Sequence, residues 1–268
     1  MLLSQAIINN GMRNVVPSVV DTGEDEGVGG KKCTKGEYLE TRVRYEGDNL
    51  LDKDNDAVMM EWERPLMSEH ANIITETGKR VLNVGFGMGI IDGILQDKGI
   101  SHHTIIEAHP DVYAKMKKDG WVDKPNVTVL FGRWQDVIPQ VPDGAIDGAF
   151  FDTYAENHTD LTEFHSHLSR ILSPSGVYSF FNGLCPDNIF FHGVACNVVK
   201  LELEGMGFEV DFVGAEIKVD GKAWEGVRRK YWHFDYYYFP VCRRRAVEGG
   251  NGEVKGEEQP NKKQKTEE

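Results

Sequence analysis

The chemistry that can be read in this chain sits on a few glycines and acids at the ends of apolar runs. In "VLNVGFGMG", residues 81 to 89, a strand-like run meets glycines at 85, 87 and 89. Residues without a Cβ let the backbone turn tightly and approach a ligand that side chains would exclude. A tight ligand-free turn would use the same residues, and the GxGxG spacing differs from GxGxxG. The flanking strand and helix patterns favour a ligand loop. Glu107, in "TIIEAHP", ends the next strand-like run roughly 20 residues beyond the loop, where an acid can accept both hydrogen bonds of a ribose diol. A solvent-facing acid at a strand end is the plainer alternative.

Asp152 closes the apolar run "IDGAFFD" and precedes Thr153 and Tyr154. Taken alone it could cap the next turn. Strand ends in an open α/β sheet converge on one crevice, however, so Gly85, Glu107 and Asp152 are expected around a single cavity. Upstream, "MMEWERPLM", residues 59 to 67, sets Glu61 and Glu63 on either side of Trp62. Two acids and an aromatic ring near the cavity mouth suit a flat, delocalised cation. Trp134, in "GRWQDV", either walls a purine or packs between helix and sheet.

These residues need a scaffold, and the pattern from Val81 onward supplies one. Strand-like runs ("RVLNVGF", "HHTIIEA", "NVTVLFG", "IDGAFFD", "GVYSFFN") alternate with helical stretches ("GIIDGILQDKG", "PDVYAKMKKDGW", "HTDLTEFHSHLSRIL"). That rhythm predicts an α/β fold with a mostly parallel sheet and helices on both faces. A helix-like "NVVKLELEGM" and two strand-like runs, "GFEVDFVGAEI" and "YWHFDYYYFPVC", follow. Residues 1–36 are expected to be a helical remnant and a Gly-rich, charged linker; 37–246 form the main domain; 247–268 form a charged tail without a core face.

Composition narrows the function classes. The 268 residues are 40% hydrophobic, enough for one principal core. Cysteines at 33, 185, 196 and 242 lack the spacing of a disulfide or zinc framework. No apolar run approaches the roughly 20 residues of a membrane span, and no secretory signal opens the chain. A soluble intracellular protein of cytoplasm and nucleus is expected. The "KKQK" of the tail fits an import signal or, more simply, a solvated charge run. A net charge of -13 argues against a nucleic-acid backbone as main ligand and favours a cationic partner. The aromatic and basic "VRRKYWHFDYYYFPVCRRR" is read as an edge strand with solvated flanks, and His102, His103, His165 and His167 as ordinary helix or surface residues, with no metal site.

The blocks "VMMEWERPLM", "RVLNVGFGMGI", "TIIEAHPDV", "GRWQDVIPQVPDGAIDGAFFDTY" and "LSPSGVYSFFN" resemble the S-adenosylmethionine-dependent methyltransferases of the guanidinoacetate methyltransferase group. The resemblance is stronger to their fungal protein arginine N-delta-methyltransferase (type IV) relatives and spans about residues 36 to 245. It implies a class I, Rossmann-like methyltransferase fold with a seven-stranded sheet, helices on both faces and an antiparallel edge. It implies S-adenosylmethionine as cofactor, S-adenosylhomocysteine as product and no metal. Cofactor contacts are implied at Gly85, Phe86, Gly87, Met88, Gly89, Ile90, Ile91, Glu107, Ala108, His109, Trp134, Gln135 and Asp152, with Met59 and Met67 lining the pocket and Tyr38 folding over it. Glu63 and Asp152 match the carboxylates that hold a guanidinium and are the implied catalytic residues. The implied substrate is an arginine side chain in a protein, a ribosomal protein in that family, without direct nucleic-acid or membrane contact. "AENHTD" after "DTY" departs from the small-molecule enzyme. Composition leaves oligomeric state open.

Overall fold

A computed structural model describes residues 35–154 and 158–245. A short helix α1 (Lys35–Glu40) leads into a three-stranded antiparallel sheet, β1 (Arg44–Glu46), β2 (Asn49–Leu51) and β3 (Ala57–Met60). A 3-10 turn (Glu61–Glu63) and α2 (Arg64–Ile74) follow. The main sheet then begins: β4 (Arg80–Val84), α3 (Ile90–Asp97), β5 (His102–Glu107), α4 (Pro110–Lys118), β6 (Val127–Phe131), α5 (Trp134–Val137), β7 (Ile146–Phe151), α6 (His158–Ile171), β8 (Leu172–Phe180), α7 (Ile189–Gly205), β9 (Phe208–Glu216) and β10 (Tyr236–Arg244).

The seven strands lie in the order β6-β5-β4-β7-β8-β10-β9. β6, β5, β4, β7 and β8 are parallel, and β10 runs antiparallel between β8 and β9. This is the sheet expected from the resemblance, including its antiparallel edge. Strand order reverses between β4 and β7, so their carboxyl ends open a crevice between them.

Period-two alternation divides the core. On one face Val81, Ile105, Phe150 and Val177 pack with Leu66, Met67, Ile91, Leu95 and Met116 from α2, α3 and α4. On the other, Leu82, Ile106, Phe151 and Tyr178 pack with Phe164, Leu168, Val199 and Leu203 from α6 and α7. Neighbours such as Val81 and Leu82, or Phe150 and Phe151, therefore serve opposite layers. Central strands buried on both faces read as unbroken apolar runs for this reason.

Four sequence expectations need correction. "YWHFDYYYFPVC" is not one strand: β10 starts at Tyr236, where it pairs with Glu216, and residues 231–235 belong to the segment that joins β9 to β10. α1 begins at Lys35, inside the stretch expected to be linker. α7 starts at Ile189, well before "NVVKLELEGM". His103 is neither on a helix nor at the surface but buried on β5, with Nε2 3.1 Å from Asp92, whereas His165 lies on α6 as a helix residue and is buried. The rest of the N-terminal remnant and the tail from 247 lie outside the described residues. Cys185, Cys196 and Cys242 are free thiols. Among the described residues, no helix is long and apolar enough to cross a membrane, and no group of three or more His, Cys, Asp or Glu could hold a metal ion.

Candidate active site

β4 ends at the glycine loop, and its backbone is shaped by close approaches. Gly85 has φ 96°, and a Cβ there would stand 1.8 Å from the carbonyl oxygen of Asp152. Gly87, at φ 56°, would place a Cβ 2.9 Å from the Met59 sulfur. Met59 Sδ also lies 3.2 Å from the Met88 amide, and the Tyr45 hydroxyl donates to the Gly87 carbonyl at 3.0 Å. The small N-terminal sheet thus braces the loop. Met67, Phe86, Ile90 and Ile91 are buried together in the core behind it.

Glu107, at the end of β5, faces this loop. Its carboxylate accepts from the amides of Phe86 at 2.9 Å and His109 at 2.6 Å, and the Gly87 and Ala108 amides lie near enough to favour its charge. Burial raises its pKa, and these hydrogen bonds act against the rise. His109 clasps the N-terminal segment. Its Nδ1 accepts from the Asp111 amide at 3.1 Å, which leaves Nε2 to donate to the carbonyls of Tyr38 at 3.1 Å and Thr41 at 3.0 Å. Tyr38 packs its ring on His109 and Tyr154, with centroids 4.7 and 4.8 Å apart.

Trp134 takes the packing role. It is 2% exposed and meets Phe151, Phe164 and His167 edge-on at 5.9, 5.4 and 6.1 Å. The next residue differs: the Gln135 side-chain oxygen is buried with no hydrogen-bond partner among the described residues. A buried acceptor left open calls for a donor, and the exocyclic amine of a purine is one. With the glycine loop and Glu107, this fits the nucleoside portion of S-adenosylmethionine.

Of the two acids around Trp62, only Glu63 turns inward. Glu61 pairs with Arg64 at the surface. Glu63 is 4% exposed, and its Oε1 accepts from the Met60 amide at 2.8 Å and the Tyr231 hydroxyl at 2.5 Å. Asp152, half-buried at the end of β7, is close enough for its charge to act on Glu63. Burial raises both carboxyl pKa values, and for Glu63 the Asp152 charge adds to the rise. Among the described residues no cation acts on either acid, and two acids held so form a receptor for a cation.

Beneath the pair lies a fixed polar chain. The Asn182 amide donates to the Tyr237 hydroxyl at 2.6 Å, and Ser179 Oγ donates to the Pro240 carbonyl at 2.6 Å. His70 bridges them, with Nε2 3.0 Å from Tyr237 and Nδ1 2.8 Å from Ser179. The Ser179 proton is committed to Pro240, so Nδ1–H donates to Ser179 and Nε2 accepts from Tyr237. Burial pushes the His70 pKa down to about 3, and the ring is neutral.

The segment between β9 and β10 covers the pair. Arg229 makes two hydrogen bonds to Asp56, at 3.0 and 2.6 Å, and the Arg228 amide donates to the Asn55 carbonyl at 2.8 Å. The Tyr154 hydroxyl, just beyond Asp152, donates to Asp52 at 3.1 Å. Trp62, Trp224 and Tyr231 pack against one another with centroids 5.0 to 5.8 Å apart. Sequence reasoning missed Tyr231, Trp224 and Tyr154. The loop-like "DGKAWEGVRRK" just ahead of Tyr231 was the available signal that a covering segment, rather than a strand, reaches the site.

A seven-stranded sheet with an antiparallel β10, a glycine loop at the strand-order reversal and an acid ending the neighbouring strand define a class I S-adenosylmethionine-dependent methyltransferase fold. The crystal structure of spermidine synthase from Thermotoga maritima shares it, with a TM-score of 0.50 over 77% of this chain and 73% of that chain at 12% identity. A family model described as guanidinoacetate N-methyltransferase matches residues 28–190, and the chain belongs to that family. Within reach of ordinary sequence comparison it is similar to protein arginine N-methyltransferase 2 of Yarrowia lipolytica, 44% identical over 77% of this chain and 46% of the relative. It is similar also to that of Saccharomyces cerevisiae, 36% identical over 84% of this chain and 58% of the relative. The chain spans about half the length of the curated relatives it matches.

Proposed function

We propose that the chain transfers a methyl group from S-adenosylmethionine to an arginine side chain of a protein, at the internal delta nitrogen, with a ribosomal protein as substrate. The observation that carries this reading is the Glu63–Asp152 carboxylate pair, with Glu63 buried under an aromatic cover and Asp152 half-buried beside the glycine loop. The similarity to protein arginine N-methyltransferase 2 supports the protein substrate.

Bound S-adenosylmethionine supplies an electrophilic methyl group on a sulfonium. The residues of this chain align the acceptor. Carboxylates pair well with planar guanidinium groups. If Glu63 and Asp152 engage the terminal nitrogens, the internal nitrogen is the one left to face the methyl group. Their charges also favour a twisted guanidinium that keeps electron density on that nitrogen. As the new N–C bond forms, the nitrogen loses its proton, and a carboxylate whose pKa lies near neutrality is suited to accept it. Trp62 and Tyr231 are placed to limit water beside Glu63.

Labelled methyl transfer from S-adenosylmethionine tests the reading, with ribosomal proteins compared against guanidinoacetate and the modified nitrogen identified from fragment masses. Delta-methylarginine in protein is the expected product. Label on guanidinoacetate alone would support the second reading, a guanidino-metabolite methyltransferase, which the matched family favours.

A further inference from the structure

Glu63 is buried at 4% exposure and faces like charge. The groups that act on it are Asp152 at the end of β7, Tyr231 in the segment between β9 and β10, and the Met60 amide on its own turn; Tyr237 on β10 faces both acids. No cation is among them. An ionised carboxylate in such a place depends on hydrogen-bond donors. Among the described residues it has two, the Met60 amide and the Tyr231 hydroxyl, and both fall on Oε1.

The Tyr231 hydroxyl is held in place from several sides. Its ring packs edge-on to Trp224 at 5.0 Å and against Trp62 at 5.8 Å. On either side of it the backbone is tied down: the Arg228 amide donates to Asn55, Arg229 grips Asp56, and the His233 amide donates to the Pro186 carbonyl at 3.2 Å. The hydroxyl therefore reaches Glu63 only when this segment is docked on the β2–β3 turn.

We propose that Tyr231 is a positioning residue for Glu63: its hydroxyl fixes Oε1, favours the carboxylate form that a cation needs and leaves Oε2 for the substrate cation. The inference rests on reading the Glu63–Asp152 pair as the guanidinium holder. It adds to that reading a specific dependence on the covering segment, since a chain in which the segment is displaced loses the donor that favours the ionised form of Glu63. The opposing effects on Glu63 agree: burial and Asp152 raise its pKa, and the Tyr231 hydrogen bond lowers it.

Tyr231→Phe keeps the ring and removes only the hydroxyl. The carboxyl carbons of a 13C-glutamate-labelled protein are titrated by NMR, with Glu63→Gln identifying the Glu63 signal. The expected result is a rise of about one pH unit in the Glu63 midpoint, the size of one lost hydrogen bond to a charged group. The acid limb of kcat/KM against pH moves up by the same amount, while S-adenosylmethionine affinity stays within about twofold. Asp56→Asn, which loosens the segment and leaves Tyr231 intact, moves the midpoint in the same direction by less. An unmoved Glu63 midpoint in Tyr231→Phe, with folding intact, overturns the proposal and leaves Tyr231 as packing alone. The titration does not require turnover, so a wild-type protein that methylates no arginine would count against the proposed function and leave this result to stand by itself.

Discussion

Gly85 and Asp152 are in backbone contact across the point where strand order reverses: the Asp152 amide donates to the Val84 carbonyl at 2.9 Å, and the Asp152 carbonyl stands 1.8 Å from where a Gly85 side chain would begin. The glycine loop and one of the two candidate guanidinium-holding acids are thus built on a single junction. Gly85→Ala must push these strand ends apart and adopt φ 96°, a conformation that alanine avoids. The expected cost is on the order of 2–4 kcal/mol of stability, with cofactor affinity and turnover falling together. Chemical denaturation and calorimetric titration with S-adenosylmethionine check this.

Ligand-free protein should lose stability as pH rises through neutrality. Burial lifts Glu63 to about 8 and Asp152 to about 7, both above their unfolded values. A group with a raised folded pKa contributes its full share below the unfolded pKa, and that share is lost as pH rises through the folded one. The thermal midpoint of wild type, followed from pH 5 to pH 9 as a working range of about 4 units, should fall more steeply than that of a Glu63→Gln/Asp152→Asn double variant. A cationic substrate favours the charged forms, so its binding near neutral pH should release protons, detected as a buffer-dependent binding enthalpy.

Trp134 and Gln135 are neighbours with separable roles. Trp134→Phe opens space in the core between α6 and the sheet and should cost on the order of 1–2 kcal/mol of stability, with cofactor affinity changed less than about threefold. Gln135→Leu removes the open acceptor and should weaken cofactor binding about tenfold at nearly unchanged stability. Paired denaturation and binding measurements on the two variants separate these outcomes.

The Asp56–Arg229 pair ties the covering segment to the β2–β3 turn. Arg229→Ala leaves Asp56, which is 5% exposed, with one fewer partner, although Arg228 Nη2 lies within 3.3 Å of it. Stability should fall by about 1 kcal/mol. The KM for the arginine substrate should rise several-fold while cofactor affinity holds, because the segment covers the carboxylate pair and not the glycine loop. Steady-state kinetics with both substrates varied decides between these effects.

Gly85, Glu107 and Asp152 were legible in the sequence because each is a local exception: a residue of the wrong type at the end of an apolar run. The mostly parallel sheet was legible in the alternation of runs, since parallel pairing needs long, usually helical, crossovers, whereas the spatial order of the strands was not. The choice between Glu61 and Glu63 was not legible in spacing alone, because both flank Trp62. What selects Glu63 is its reach back to the Met60 amide and the arrival of Tyr231 from 168 residues away. Tyr231 was hidden in an aromatic tract that reads as strand throughout. Pairing with β9 starts only at Tyr236, and that register depends on long-range contacts. The same limit hid His103, whose strand position gives no sign of Asp92 facing it from α3.

In the proposed function Glu63 and Asp152 hold the guanidinium, and Asp152 alone of the two also borders the glycine loop expected to hold the cofactor. The most direct test is single-turnover methyl transfer to protein arginine by Glu63→Gln and Asp152→Asn, with S-adenosylmethionine affinity measured alongside. Each variant is expected to lose about 100-fold or more in rate, about 2.7 kcal/mol of transition-state stabilisation, while Glu63→Gln binds the cofactor within a few-fold of wild type. Near-normal turnover in both variants would contradict the proposed role of the pair.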